Sequence, residues 1–191
     1  FRRKTSEKQM FNLRETSETL LGQERFFLRR EILLFYLRIL SNVVSLHRMT
    51  DKLKILFLCT GNSCRSQMAE GWARELKNDT IQAFSAGLDA HGLNINAVRV
   101  MQEAGVDITS QNSQIVKKVE TIPFDFVITL CGHADENCPV FTCATTVLHF
   151  GFDDPPKLAQ NAKTEQETLS HYRRVRDEIR TFIETLPEAL C

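Results

Sequence analysis

No run of apolar residues in this 191-residue sequence approaches the roughly 18–20 positions that a membrane span requires. The longest near the start, Ile32 to Leu37, is cut by Arg38, and no signal peptide is read there, so a membrane-spanning or exported protein is not expected. Net charge is also missing, because 24 Lys and Arg balance 24 Asp and Glu. The balance hides an asymmetry: residues 1–50 hold 10 basic and 5 acidic side chains, leaving 14 basic and 19 acidic in residues 51–191. An acidic excess over the larger part argues against a nucleic-acid surface. Internal repeats and low-complexity tracts are absent as well. With 42% apolar and 25% charged residues, the composition is that of one globular domain with a substantial core.

Six cysteines are present, at 59, 64, 131, 138, 143 and 191. In a small secreted chain they would suggest a disulfide framework, but this chain is not small and shows no export signal. A reducing compartment, the cytoplasm, is expected, where cysteines are reactive, metal-binding or simply buried.

Residues 1–48 read as a basic amphipathic extension. Between Gln23 and Val44, apolar positions interleave with Arg25, Arg29, Arg30 and Arg38 at helical spacing, which suits a helix packed on the domain or a partner; a segment that does not order and a basic membrane-surface helix are the alternatives. From residue 49 to 191 the pattern is that of a single α/β domain. Lys54 to Cys59 (KILFLC) is a short apolar run, as expected of a strand buried on both faces. A helix follows over Ser66 to Leu76, a strand over Ile81 to Ser85, and a helix over Asn96 to Ala104 stopped by Gly105. Asp125 to Leu130 and Thr145 to His149 predict two more strands, and Glu165 to Leu186 a closing helix. Such alternation predicts a four-stranded parallel sheet with helices on both faces and a site at the carboxyl ends of the strands. The loops to search are then 59–66, 86–92, 131–138 and 150–156.

The first of these reads Cys59-Thr60-Gly61-Asn62-Ser63-Cys64-Arg65-Ser66. Small and polar residues between a strand and a helix let successive backbone N–H groups converge, and the helix N-terminus adds its own positive field. Thr60, Gly61, Asn62, Ser63, Cys64 and Arg65 are the candidate oxyanion cradle, with the Arg65 guanidinium a planar fork for a tetrahedral anion. The same field favours a thiolate, which makes Cys59 the candidate nucleophile; the alternative is a small buried apolar residue. The nucleotide-binding pattern GxxxxGK[ST] is excluded, since the second glycine and the lysine are missing.

This loop resembles the phosphate-binding loop of the low-molecular-weight protein tyrosine phosphatase superfamily. The string LCTGNSCRSQMAEGWA, with SAGLDAHGLN, DFVITLCGHADENCP and HFGFDDP downstream, is similar to the thioredoxin-coupled arsenate reductase branch, from about Lys52 to the C-terminus. The resemblance implies that Cys59 attacks arsenate while Asp154, directly before Pro155, protonates the departing oxygen; Asp153 is expected to serve the loop or cap a helix. It implies a thiol relay in which Cys131 attacks Cys59 and releases arsenite, and Cys138 then attacks Cys131. The final Cys131–Cys138 disulfide would be reduced by thioredoxin, with no tightly bound cofactor. Ser66 is expected to hydrogen-bond the Cys59 thiolate.

For these exchanges the segment 131–143 must move, and Gly132 with no large apolar anchor up to Cys138 suits mobility. A zinc site from Cys131, Cys138, Cys143 and His133 is the competing reading, although the spacing does not match paired knuckles. Cys143 is expected to be structural and Cys191 is unassigned. Some relatives bind potassium beside the anion loop. Asn62, Glu70 and Ser85 match three of its ligands, but Gln114 replaces the fourth, an aspartate, so little potassium activation is expected. A tyrosine phosphatase is the alternative enzyme, against which Pro156 and Lys157 stand where an aromatic pair follows Asp-Pro. A non-enzymatic oxyanion or thiol sensor is the alternative outside enzymes.

Overall fold

The computed structural model describes residues 52–141 and 145–190. The expected amphipathic helix at Gln23 to Val44, Cys143 and Cys191 lie outside the described residues. Four strands, β1 (Leu53–Cys59), β2 (Ile81–Gly87), β3 (Phe126–Thr129) and β4 (Thr146–His149), form one sheet in the order β2-β1-β3-β4. All pairings are parallel. The helices are α1 (Arg65–Leu76), α2 (Ile95–Glu103), α3 (Gly132–Glu136), α4 (Pro155–Leu158) and α5 (Glu165–Glu184).

Alternation along β1 divides the core. Ile55 and Phe57 face a large apolar cluster with Met68 and Trp72 of α1, Val100 and Met101 of α2, and Leu169, Val175, Ile179 and Ile183 of α5. Leu56 and Leu58 face a smaller cluster holding Val119, Phe124, Val127, Cys131 and Ala134. Both faces of β1 are therefore dry, which accounts for its unbroken apolar run. The covering is unequal: three longer helices pack on one face, and α3 with the segment around Val119 and Phe124 covers the other.

Local signals end the helices as the sequence leads one to expect. Asn94 caps α2 by accepting from the N–H groups of Asn96 (2.9 Å) and Ala97 (3.2 Å). Gly105, with φ of +84°, adopts the left-handed conformation that closes it. Thr164 caps α5 by accepting from Glu167 N–H.

One expectation needs correction. The segment after β3 is not an unanchored loop, because residues Gly132–Glu136 form α3 and Ala134 is fully buried. The sequence reading looked for a large apolar anchor, and a single methyl group seated in the smaller cluster supplies the hold.

Candidate active site

The anion loop is shaped from outside. The carbonyls of Cys59, Thr60, Gly61 and Ser63 accept from the backbone N–H groups of Leu88 (3.2 Å), Asp89 (2.8 Å), His91 (3.0 Å) and Asn94 (2.9 Å). The Asn62 carbonyl accepts from Gln67 Nε2 at 3.1 Å. In a trans peptide the N–H points opposite its C=O, so with these five carbonyls engaged outside, the N–H groups of residues 60–64 are turned to the loop's concave side. The segment after β2 and the anion loop can lie this close only because Gly87, at the end of β2, and Gly61, in the loop, carry no Cβ. A Cβ on Gly87 would sit 2.7 Å from Asn62 N and 2.8 Å from Thr60 O, and one on Gly61 would strike the His91 ring. Sequence reasoning named 86–92 as a loop to search but did not see that its backbone braces the cradle.

Asn62 is fully buried and takes φ of +43°. That conformation suits Asn better than most side chains. Its Oδ1 accepts from Gln114 N–H at 2.8 Å, which leaves Nδ2 to donate to Ser66 Oγ and Ser85 Oγ, both at 2.9 Å. Ser66 Oγ therefore receives one proton and has its own to give, and Cys59 Sγ lies 2.8 Å away. The direction of donation runs from Gln114 through Asn62 and Ser66 to the sulfur of Cys59. A hydroxyl aimed this way stabilises a thiolate. In the parallel branch Ser85 donates to Glu70 Oε2 at 2.5 Å.

Arg65 is held on the opposite wall. Its Nη1 donates to Phe152 O at 3.0 Å, and its Nη2 lies 3.1 Å from Asp154 Oδ1. Asp154 occupies the N-cap position of α4 yet caps nothing with its side chain, so its carboxylate is free to face Arg65. Asp153, expected to serve the loop or a cap, instead pairs with Arg174 of α5 at 2.8 Å. Cys59, the cradle residues other than the buried Asn62, His91, Asp154 and Pro156 line an open pocket of about 400 Å³. His91 was not singled out in the sequence; its signal was its place in a strand-end loop.

The second thiol is brought to the same end of the sheet as the first. Leu58 pairs with Thr129 and Leu130 N–H donates to Leu58 O, so Cys59 and Cys131 follow one another at the ends of neighbouring strands; Cys59 breaks the alternation of β1 as the loop begins, and both thiols join the smaller cluster. Cys131 Sγ lies 3.4 Å from Thr60 Oγ1. Cys138, beyond the end of α3, packs against the smaller cluster, and burial followed by the Asp135 charge pushes its thiol up. Cys64 is buried too; desolvation pushes its thiol up against the pull of Arg65, so it stays protonated. Burial likewise raises the Glu70 carboxyl, opposed by Ser85, Arg74 and Gln111.

The expected potassium ligands do meet: Asn62, Ser85 and Glu70 are linked through Ser85, and Gln114 joins them by donating its Nε2 to Ser85 O at 3.1 Å. Among the described residues, no three His, Cys, Asp or Glu side chains form a metal-binding group, and no helix is long and apolar enough to cross a membrane.

A thiol at the end of the first strand, an N–H cradle closed by an arginine and an aspartate on the facing loop define a cysteine-based oxyanion enzyme on a four-stranded parallel sheet. The chain belongs to the low molecular weight phosphotyrosine protein phosphatase family, which it matches over residues 54–191. Within that family its relatives carry a more particular name. It is 47% identical over 138 residues to an arsenate reductase of Halalkalibacterium halodurans, covering 72% of this chain and 97% of the relative. To an arsenate reductase of Bacillus subtilis it is 50% identical over 125 residues, or 65% and 88% of the two chains. Among solved structures it resembles an arsenate reductase in an oxidized state, with a TM-score of 0.60 and 30% identity over 72% of this chain and 98% of that one.

Proposed function

We propose that this protein is an arsenate reductase acting through three thiols, Cys59, Cys131 and Cys138. The observation that carries the reading is the convergence of Cys59 and Cys131 at adjacent strand ends, bridged by Thr60, with Cys138 on the same side of the sheet. A hydrolytic phosphatase needs only the first thiol. Naming of its relatives as arsenate reductases supports the same choice.

Arsenate enters the cradle, where the N–H groups of residues 60–64 and the Arg65 guanidinium take its charge. The Cys59 thiolate, held by Ser66, bonds to arsenic as Asp154 gives a proton to the oxygen that leaves as water. Cys131 then attacks Cys59 Sγ. The sulfur–arsenic bond breaks with its electron pair left on arsenic, arsenite departs, and a Cys59–Cys131 disulfide remains. Cys138 attacks Cys131 Sγ and expels the Cys59 thiolate, which is ready for another arsenate. A dithiol of the thioredoxin type reduces the Cys131–Cys138 disulfide, so the cycle needs no tightly bound cofactor, and a reducing cytoplasm is the compartment in which it runs.

The test is turnover of a Cys138→Ser variant with arsenate and thioredoxin as the sole reductant. A single equivalent of arsenite per protein is expected, followed by arrest with Cys59 bonded to Cys131. Repeated turnover refutes the relay. Arsenate-independent release of phosphate from an aryl phosphate, with no reductant consumed in the presence of arsenate, assigns the chain to the phosphatases.

A further inference from the structure

The second exchange requires Cys138 to reach Cys131, and the folded segment between them prevents it. Seven residues at a helical rise separate the two Cα atoms by on the order of 10 Å. Bridged cysteines need about 4.4–6.8 Å. α3 must therefore open, and a helix of five residues has little stability of its own. What holds it is Ala134, buried beneath it, and Asp135.

Asp135 is tied at two points. Its N–H donates to Cys131 O at 3.0 Å, and its Oδ1 accepts from Thr129 Oγ1 at 2.9 Å. Thr129, on β3, is fully buried, and its hydroxyl also lies 2.8 Å from His149 Nδ1 on β4. The hydroxyl has one proton for two groups that can only accept, the Asp135 carboxylate at 2.9 Å and Leu148 O at 3.3 Å; the shorter, charge-assisted bond to Asp135 is the stronger, and with the proton used there His149 presents Nδ1–H to Thr129. His149 Nδ1 is itself 3.7 Å from Asp135 Oδ1. These two sheet residues grip the middle of the segment that carries both relay thiols.

We propose that Asp135 is a positioning residue for the relay, its carboxylate anchored by Thr129 and His149 so that α3 stays closed until Cys131 has left for Cys59. This rests on the reductase reading above. Movement of Cys131 toward Cys59 breaks the backbone bond between Asp135 and Cys131; the side-chain bond to Thr129 is then the strongest polar restraint left, beside the seated Ala134 methyl and a long contact of 3.5 Å between Thr60 Oγ1 and His133 Nδ1. Once it releases, Cys138 attacks Cys131 Sγ, the Cys59–Cys131 bond breaks, Cys59 leaves as thiolate, and the Cys138 proton passes to solvent. The upward push that burial and Asp135 exert on the Cys138 thiol keeps that sulfur unreactive while the helix is closed.

The test omits arsenate. The full chain is treated with diamide, which takes two electrons and two protons from a pair of thiols and becomes its hydrazine. The rate of Cys131–Cys138 disulfide formation is followed by peptide mass, and amide exchange is measured at residues 132–138. Asp135→Ala and Thr129→Val are expected to raise exchange there about tenfold, with the rest of the chain unchanged. Both should form the disulfide roughly fivefold faster or more. Asp135→Asn, which still accepts from Thr129, should stay within about twofold of the wild type in both measurements. Unchanged exchange in both loss variants, or faster exchange without faster disulfide formation, overturns the proposal. Failure of the reductase reading shows separately, as wild-type protein that consumes no reductant with arsenate.

Discussion

Replacing Asn62 by Asp tests whether Cys59 depends on the direction of a proton. In the native site Asn62 Oδ1 accepts from Gln114 N–H while Nδ2 donates to Ser66, which leaves the Ser66 hydroxyl to donate across 2.8 Å to Cys59 Sγ. Aspartate offers only acceptors, so it keeps the Gln114 bond but draws the Ser66 proton to itself, and Ser66 then turns a lone pair toward the thiolate. The interaction lost is a hydrogen bond to a charged group, worth about 1.5–3 kcal/mol, or roughly 10- to 150-fold in the rate of Cys59 attack. Burying a carboxylate beside Ser85 and Glu70 adds to the loss. The assay is single-turnover formation of the Cys59–arsenic adduct, or of its onward disulfide, in the wild type, Ser66→Ala, Asn62→Asp and the double variant. Ser66→Ala is expected to slow the wild type by that factor and to cost nothing further in the Asn62→Asp background. If Ser66→Ala costs the same in both backgrounds, Ser66 acts independently of Asn62 and the donor chain is wrong.

Asp154→Asn should lower the rate of adduct formation by roughly 10²–10⁴-fold, as expected for removal of a general acid. Its pair with Arg65 is part-exposed, so urea midpoints should place the loss of stability within about 1 kcal/mol. Replacing sodium by potassium at fixed ionic strength should leave catalytic efficiency unchanged, because Gln114 brings an amide donor to Ser85 O where a carboxylate would favour a cation; a several-fold rise refutes this. The raised Glu70 carboxyl makes the folded state bind more protons than the unfolded one, so Glu70 lowers stability progressively as pH rises above its ordinary value of about 4.3. The unfolding free energy of Glu70→Gln relative to wild type should therefore climb with pH across that window in urea titrations, and a flat difference contradicts the assignment.

Much of this was legible along the chain. The β1 run from Ile55 to Leu58 is apolar at every position because the strand is covered on both faces, and periodicity alone reports that. The spacing of Cys59, Arg65 and Ser66 between a strand and a helix pointed to an oxyanion cradle, and in the structure Ser66 Oγ lies 2.8 Å from Cys59 Sγ with Arg65 lining the same pocket. Asp153 misled, because its partner Arg174 lies on α5 and nothing local announces the pair. α3 was missed because Gly132 and the polar residues around it carry no helical stripe; one buried Ala134 and the reach of Asp135 to Thr129 hold it.

The sequence by itself determined the order of the four strands and the three longer helices, the end of the sheet at which chemistry collects, and the thiol and arginine available there. These are local matters, decided by side-chain period and by the residues a turn can accept. Only the tertiary structure brings Cys59 and Cys131 together, since they leave the same end of paired strands and both turn into the smaller cluster, which sequence spacing does not report. It also decided the proton order from Gln114 through Asn62 to Ser66, because each donor in that chain is set by what the next group can accept.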